Sequence, residues 1–186
     1  SSIDRAGRYA FANQPAIARW NLMRLADCLL PLVDADESKA IERVAEPLAG
    51  FSERFRTAWL DMMRGKLGLA TASEGDKEFI DQLLDKLETL QLDYTQTFQR
   101  LTDALDSVTS AVTSAATSAD ELKGTLGEWY DQWRLRVSDP AAAQALMRRH
   151  NPLVIARNHH MEDVITASIE TGEAAAAERF LRVLRQ

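Results

Sequence analysis

Apolar positions recur at spacings of three and four along nearly the whole chain, and no stretch alternates with period two. That pattern predicts an all-α fold. The densest segment comes first. Between Pro15 and Leu30, the residues Ile17, Ala18, Leu22, Met23, Leu25, Ala26, Leu29 and Leu30 cover most directions of a helical wheel. Asn21, Arg24 and Asp27 fall in one polar row, and Arg24 can pair with Asp27 along it. A helix apolar nearly all round is usually a buried one. Residues 15–30 are therefore expected to be the central buried helix of a multi-helix lobe. Pro15 suits a first turn, where its missing N–H would have had no partner, and Asn13 and Gln14 precede it as capping groups.

The first helix should end near Pro31, and Asp34 to Ser38 offers caps for a second. There Ile41, Val44, Leu48, Phe51, Phe55, Trp59 and Met62 form a core-facing stripe. Pro47 interrupts it, so a kink or break is expected near Ala45, with Gly65 and Gly68 closing the segment. After a polar turn, Asp76 opens a helix carrying Phe79, Ile80, Leu83, Leu84, Leu87 and Leu90. Asp93 can cap the next, with Tyr94, Phe98, Leu101 and Leu105, and the short connection predicts an antiparallel pair.

Residues 107–118 are Ser, Thr, Ala and Val only. They read as a loop, as a weak helix, or as an array of hydroxyl acceptors. Glu121 to Val137 is predicted helical, with Leu126, Trp129, Tyr130 and Trp133 on one face and Gly124 and Gly127 weakening its start. Such an aromatic face builds core, an interdomain contact or a ligand cage. Asp139-Pro140 starts a helix that Asn151-Pro152 breaks; 153–170 and Glu173 to Arg185 complete the chain, separated by Thr171-Gly172.

Composition narrows the partners. At 186 residues, 46% hydrophobic and 27% charged, the chain fits a single helical domain, 1–186. A net charge of −6 argues against broad nucleic-acid or anionic-membrane binding. Local basic patches remain at Arg148-Arg149-His150 and at Arg179, Arg182 and Arg185. No run has transmembrane length and no signal peptide opens the chain, which leads to an expectation of a cytoplasmic protein. Cys28 alone allows no internal disulfide; it reads as a small buried side chain in the first helix or as a reactive thiol. His159 with Glu162 or Asp163 has helical metal-ligand spacing. The paired Glu-x-x-His pattern of bundle metal sites is not met, and adjacent His159 and His160 should point to different faces, so a surface or capping role is expected.

Several separate segments resemble the selenoprotein O (SelO) family. They are Gly7-Arg8-Tyr9, Asn13-Gln14-Pro15-Ala16, Trp20-Asn21-Leu22 and Arg24-Leu25-Ala26 at the start. Further on come Lys66-Leu67-Gly68, Asp93-Tyr94-Thr95, Thr97-Phe98-Gln99-Arg100-Leu101, Asn151-Pro152 and Arg157-Asn158, in family order. The resemblance implies a pseudokinase-like parent that transfers AMP from ATP to protein hydroxyls with magnesium. In that family the ATP-gripping residues, the catalytic aspartate and a metal-binding Asp-Tyr-Gly precede the Gly-Arg-Tyr segment. Nothing in this chain matches them, nor the family's C-terminal cysteine or selenocysteine.

The chain is thus expected to be a C-terminal helical lobe, like that of a kinase fold, with no catalytic, cofactor-binding or metal residue of its own. ATP and magnesium belong to the full-length parent; the partners are its N-terminal catalytic half and its protein substrates. Residues 1–14 would be an activation-segment-like lead-in, with Arg8 and Tyr9 near the catalytic half, unless Tyr9 and Phe11 merely dock the arm. The roles of Gly7, Arg8, Tyr9, Asn13, Gln14, Pro15, Trp20, Asn21 and Arg24 stay open. The alternative is a non-enzymatic helical interaction module that recruits partners through the aromatic helix 121–137.

Overall fold

The computed structural model describes residues 7, 8, 10, 13–105, 114–152 and 154–184, and all regular structure among them is helical. They form two compact units, 1–61 and 62–186.

The first unit holds α1 (Gln14–Val33), α2 (Glu37–Ala49) and most of α3 (Phe51–Lys66). Asp36 caps α2, its carboxylate accepting from the N–H groups of Ser38 at 3.0 Å and Lys39 at 3.2 Å. Arg43 reaches back to Asp34 at 3.4 Å and to the Val33 carbonyl, holding the α1–α2 turn closed. Pro31 does not end α1. Near a helix end a proline forfeits only one ladder bond, and the Asp34 N–H still reaches the Leu30 carbonyl at 3.3 Å. Pro47 is likewise carried inside the last turn of α2, and the break falls at Gly50 instead of near Ala45. Arg54 from the next helix bonds the Pro47 carbonyl at 2.6 Å, satisfying a group that the interruption leaves open.

The expectation for α1 needs correcting. The helix forms and is apolar on most sides, but none of its residues is buried. Leu25 is 54% exposed and Leu32 82%. Within the unit α1 packs against α2, and one neighbouring helix covers only one side of a cylinder. Cys28 is exposed with it, not buried.

The core lies in the second unit, which continues through α4 (Asp76–Thr89), α5 (Tyr94–Asp103), α6 (Ser114–Leu126), α7 (Glu128–Arg136), α8 (Pro140–His150), α9 (Asn158–Thr171) and α10 (Ala175–Leu184). Met63, Leu67, Ile80, Leu83, Phe98, Leu101, Leu126, Trp133 and Met147 are all essentially inaccessible. The predicted helix 121–137 is two helices. Gly127, at φ +61°, separates α6 from α7 and re-aims the chain. Of the alternatives for the aromatic face, the structure selects core. Trp129 stacks on Phe79 with centroids 4.8 Å apart, and its indole N–H donates to the Phe79 carbonyl at 2.9 Å. Trp133, fully buried, donates to the Leu67 carbonyl at 2.8 Å. An indole buried with its one donor satisfied makes a rigid anchor, not a recruiting surface.

Asp93 and Asp139 cap α5 and α8 as expected, accepting from Gln96 at 2.8 Å and from Ala141 and Ala142 at 3.0 Å. The α4–α5 connection is short, as expected. Gln91 takes a positive φ of 53° in it, Leu92 donates back to the Leu87 carbonyl, and α5 packs against α6 and α8. Residues 106–113 lie outside the described set, and from Ser114 onward the Ser/Thr/Ala tract is helical. Residues 154–157 are not helical, so α9 starts five residues later than 153; Gly172, at φ +71°, ends it.

Gly68 is the glycine under the most constraint. At φ +69° an added Cβ would sit 2.9 Å from Ala143 Cβ and 3.1 Å from the Ala143 carbonyl oxygen. Strain and crowding act together, so Gly68→Ala should destabilise the unit by about 1–3 kcal/mol. The check is urea denaturation, with a lower midpoint at an unchanged m-value.

Candidate functional site

Two clusters gather residues of the segments that resemble SelO. One lies at the start of α1, the other in the core of the second unit.

At the start, Gly7 adopts φ +65° and its carbonyl accepts twice, from the Ala10 N–H at 3.0 Å and from Asn13 Nδ2 at 2.9 Å. Asn13 occupies the N-cap position without capping α1, because its side chain is committed to Gly7. The Arg8 guanidinium stands 4.9 Å from the centroid of the Trp20 ring, and that of Arg24 stands 5.8 Å from the same ring. Arg24 also pairs with Asp27 at 3.0 Å, as the polar row allowed. The fold thus brings Gly7, Arg8, Asn13, Trp20 and Arg24 together. Gln14 and Pro15 open the helix, Asn21 is exposed on it, and Tyr9 lies outside the described residues.

The second cluster joins motifs 84 and 85 positions apart. Lys66 donates to the His150 carbonyl and to Asn151 Oδ1, both at 3.0 Å. Asn151 Nδ2 returns a bond to the Lys66 carbonyl at 2.9 Å. The ammonium also faces the rings of Tyr94 at 5.4 Å and Phe98 at 5.0 Å. Lys66-Leu67-Gly68, Asp93-Tyr94-Thr95, Thr97-Phe98 and Asn151-Pro152 are therefore one physical assembly. Burial lowers the Lys66 pKa and raises that of Tyr94, since each charged form loses water. His150, offered above as part of a basic patch, is half-buried instead. Its Nδ1 bonds the Leu146 carbonyl, and its ring covers Gly65 so closely that a Cβ there would lie 2.6 Å from it. Arg157 extends the assembly, 3.7 Å from Asp93.

A third feature was not picked out by motif reading. Asp76, read only as a helix start, is 1% exposed. Its Oδ2 accepts from Arg64 at 3.1 Å and from the Ser73 N–H at 3.0 Å, and its Oδ1 bonds Arg136. Burial acts to raise its pKa, but the Ser73 hydrogen bond and the two arginines outweigh that and hold the carboxyl below its ordinary value. The signal was absent locally, because both arginines come from other helices, 12 and 60 positions away.

Among the described residues no group of three or more His, Cys, Asp or Glu could hold an ion. His159 and His160 are exposed at the start of α9 with rings 3.9 Å apart, where separate faces were expected. In the first turn their side chains are free to lean together. No helix among the described residues is long and apolar enough to cross a membrane.

The SelO family model, described as protein adenylyltransferase SelO, matches residues 1–185. The chain belongs to the SelO family. Among curated relatives it is 44% identical over 188 residues to a protein nucleotidyltransferase YdiU of Rhizobium etli, covering 99% of this chain and 37% of that one. It is 43% identical to the protein of that name from Geobacillus kaustophilus, with the same coverage. A Bradyrhizobium protein of that name is 45% identical, with 99% of this chain and 38% of that one covered. The chain therefore spans a little over a third of the length of these SelO relatives.

Asn in place of Asp76 would remove the buried carboxylate that bridges Arg64 and Arg136 at the start of α4. Asp76→Asn should cost about 3 kcal/mol or more at neutral pH. Because the folded pKa is depressed, the stabilisation is complete above the unfolded carboxyl value of about 4 and is lost as pH falls through the lower folded value. Urea midpoints for both proteins should therefore differ widely at pH 7 and converge under strongly acidic conditions.

Proposed function

We propose that this chain is the C-terminal helical lobe of a longer SelO-type protein adenylyltransferase. The parent transfers AMP from ATP, with magnesium, to serine, threonine or tyrosine hydroxyls of target proteins. Both units belong to that lobe, which braces the lead-in at residues 1–14 and contributes to the surface that target proteins meet. The chain alone does not catalyse the transfer.

The observation that carries this reading is α1. It matches the family at Trp20-Asn21-Leu22 and Arg24-Leu25-Ala26, is apolar on most sides, and has no fully buried residue. Leu25, Leu29, Leu32 and Trp20 together leave more apolar surface open than a finished helix normally does. A longer parent supplies the cover, and its N-terminal catalytic half is the partner proposed for it.

Among the described residues the donors argued above do not suit magnesium or a triphosphate. The most buried carboxylate among them, Asp76, has both oxygens committed to arginines and a backbone N–H. Lys66 is committed to Asn151 and the His150 carbonyl. No step of AMP transfer is therefore assigned to these residues. The competing reading, recruitment through the aromatic helix, loses its carrier, because Trp129 and Trp133 are 2% and 0% exposed.

The test compares the full-length parent with this chain, each incubated with Mg and ATP labelled at the α-phosphate. The parent should become labelled or label added protein, and the 186-residue chain should not. Labelling of any protein by the chain alone would contradict the reading.

A further inference from the structure

We propose that Arg8 and Trp20 act as one positioning unit that fixes the direction in which the backbone leaves Gly7 on its N-terminal side. The inference rests on the SelO reading above, in which that side leads to the catalytic half. Gly7 holds a positive φ, a conformation that without restraint makes a hinge. The restraint comes from both directions. Asn13 Nδ2 and the Ala10 N–H close on the Gly7 carbonyl, and the Asn13 N–H closes on the Ala10 carbonyl at 2.8 Å. These bonds tie Gly7, Ala10 and Asn13 to one another at the start of α1.

They do not fix the side chain of Arg8, whose guanidinium lies 4.9 Å from the Trp20 ring. Trp20 is 45% exposed, more than a ring of its size needs if it served only to fill core. Arg24, paired with Asp27, stands beside the same ring. The indole is thus a flat platform on a helix, flanked by two guanidinium groups, and Arg8 is the part of the lead-in that rests on it. Neither residue is placed on substrate. They act through the segment that they orient.

The experiment uses the full-length parent carrying Arg8→Gln, Trp20→Leu, both together, and the conservative Arg8→Lys and Trp20→Phe. AMP-transfer kcat and the KM for ATP are measured alongside amide hydrogen exchange at Ala10 and Asn13. Each disruptive single change should lower kcat about tenfold with the KM for ATP within about twofold, and the double variant should be no worse than either single. Arg8→Lys and Trp20→Phe, which keep a cation over a ring, should retain most of the rate. Exchange at Ala10 and Asn13 should quicken in the disruptive variants only. Multiplying losses in the double variant, unchanged kcat, or unchanged exchange at those amides would overturn the proposal. A wild-type parent that transfers no AMP would instead defeat the functional reading, and the exchange data would still decide whether Arg8 and Trp20 hold the lead-in.

Discussion

The reciprocal bonding of Lys66 and Asn151 is the constraint on which the second unit depends. A helix that ends inside a protein leaves carbonyl groups without partners, and burying them unpaired is costly. Here the C-terminus of α3 is closed by side chains from far along the chain. Asn151 serves the Lys66 carbonyl, Trp133 serves the Leu67 carbonyl, and Lys66 serves the end of α8 in return. Helix ends that would be liabilities separately satisfy one another. The aromatic rings of Tyr94 and Phe98 keep water from the ammonium, and the same exclusion displaces the Lys66 and Tyr94 pKa values.

Asp76 does comparable work on the opposite side of the α3–α4 connection. It draws Arg64 from α3 and Arg136 from α7 to the start of α4, and closes the Ser73 turn with a third bond. Buried charge of this kind specifies an arrangement more surely than it adds stability.

What could be read from the sequence was what is decided locally. The caps at Asp36, Asp93 and Asp139 needed only their own next few N–H groups, and the stop at Gly172 only its own φ. The break after Pro47 was misplaced because a proline near a helix end forfeits one bond and need not turn the chain there. Asp76 was missed as a centre because its meaning lies in two distant arginines. The opposite happened at Lys66 and Asn151: the motifs were visible, but nothing local said that they meet. The error at α1 is of another kind. A helical wheel reports which faces could be buried, not whether the helices packed beside it within the first unit cover them.

That helix is where structure and proposed function join: its apolar residues are left exposed within the first unit, and the proposal has the longer parent cover them. The decisive measurement is amide hydrogen exchange of α1 in the 186-residue chain and in the full-length parent. Exchange tracks local opening, and a helix with no buried residue opens readily. The account predicts fast exchange along Ile17 to Leu30 in the chain alone and slowing by about two orders of magnitude or more in the parent. Equal rates in the two would mean that the rest of the protein does not cover α1, and would contradict its reading as a lobe completed by a catalytic half.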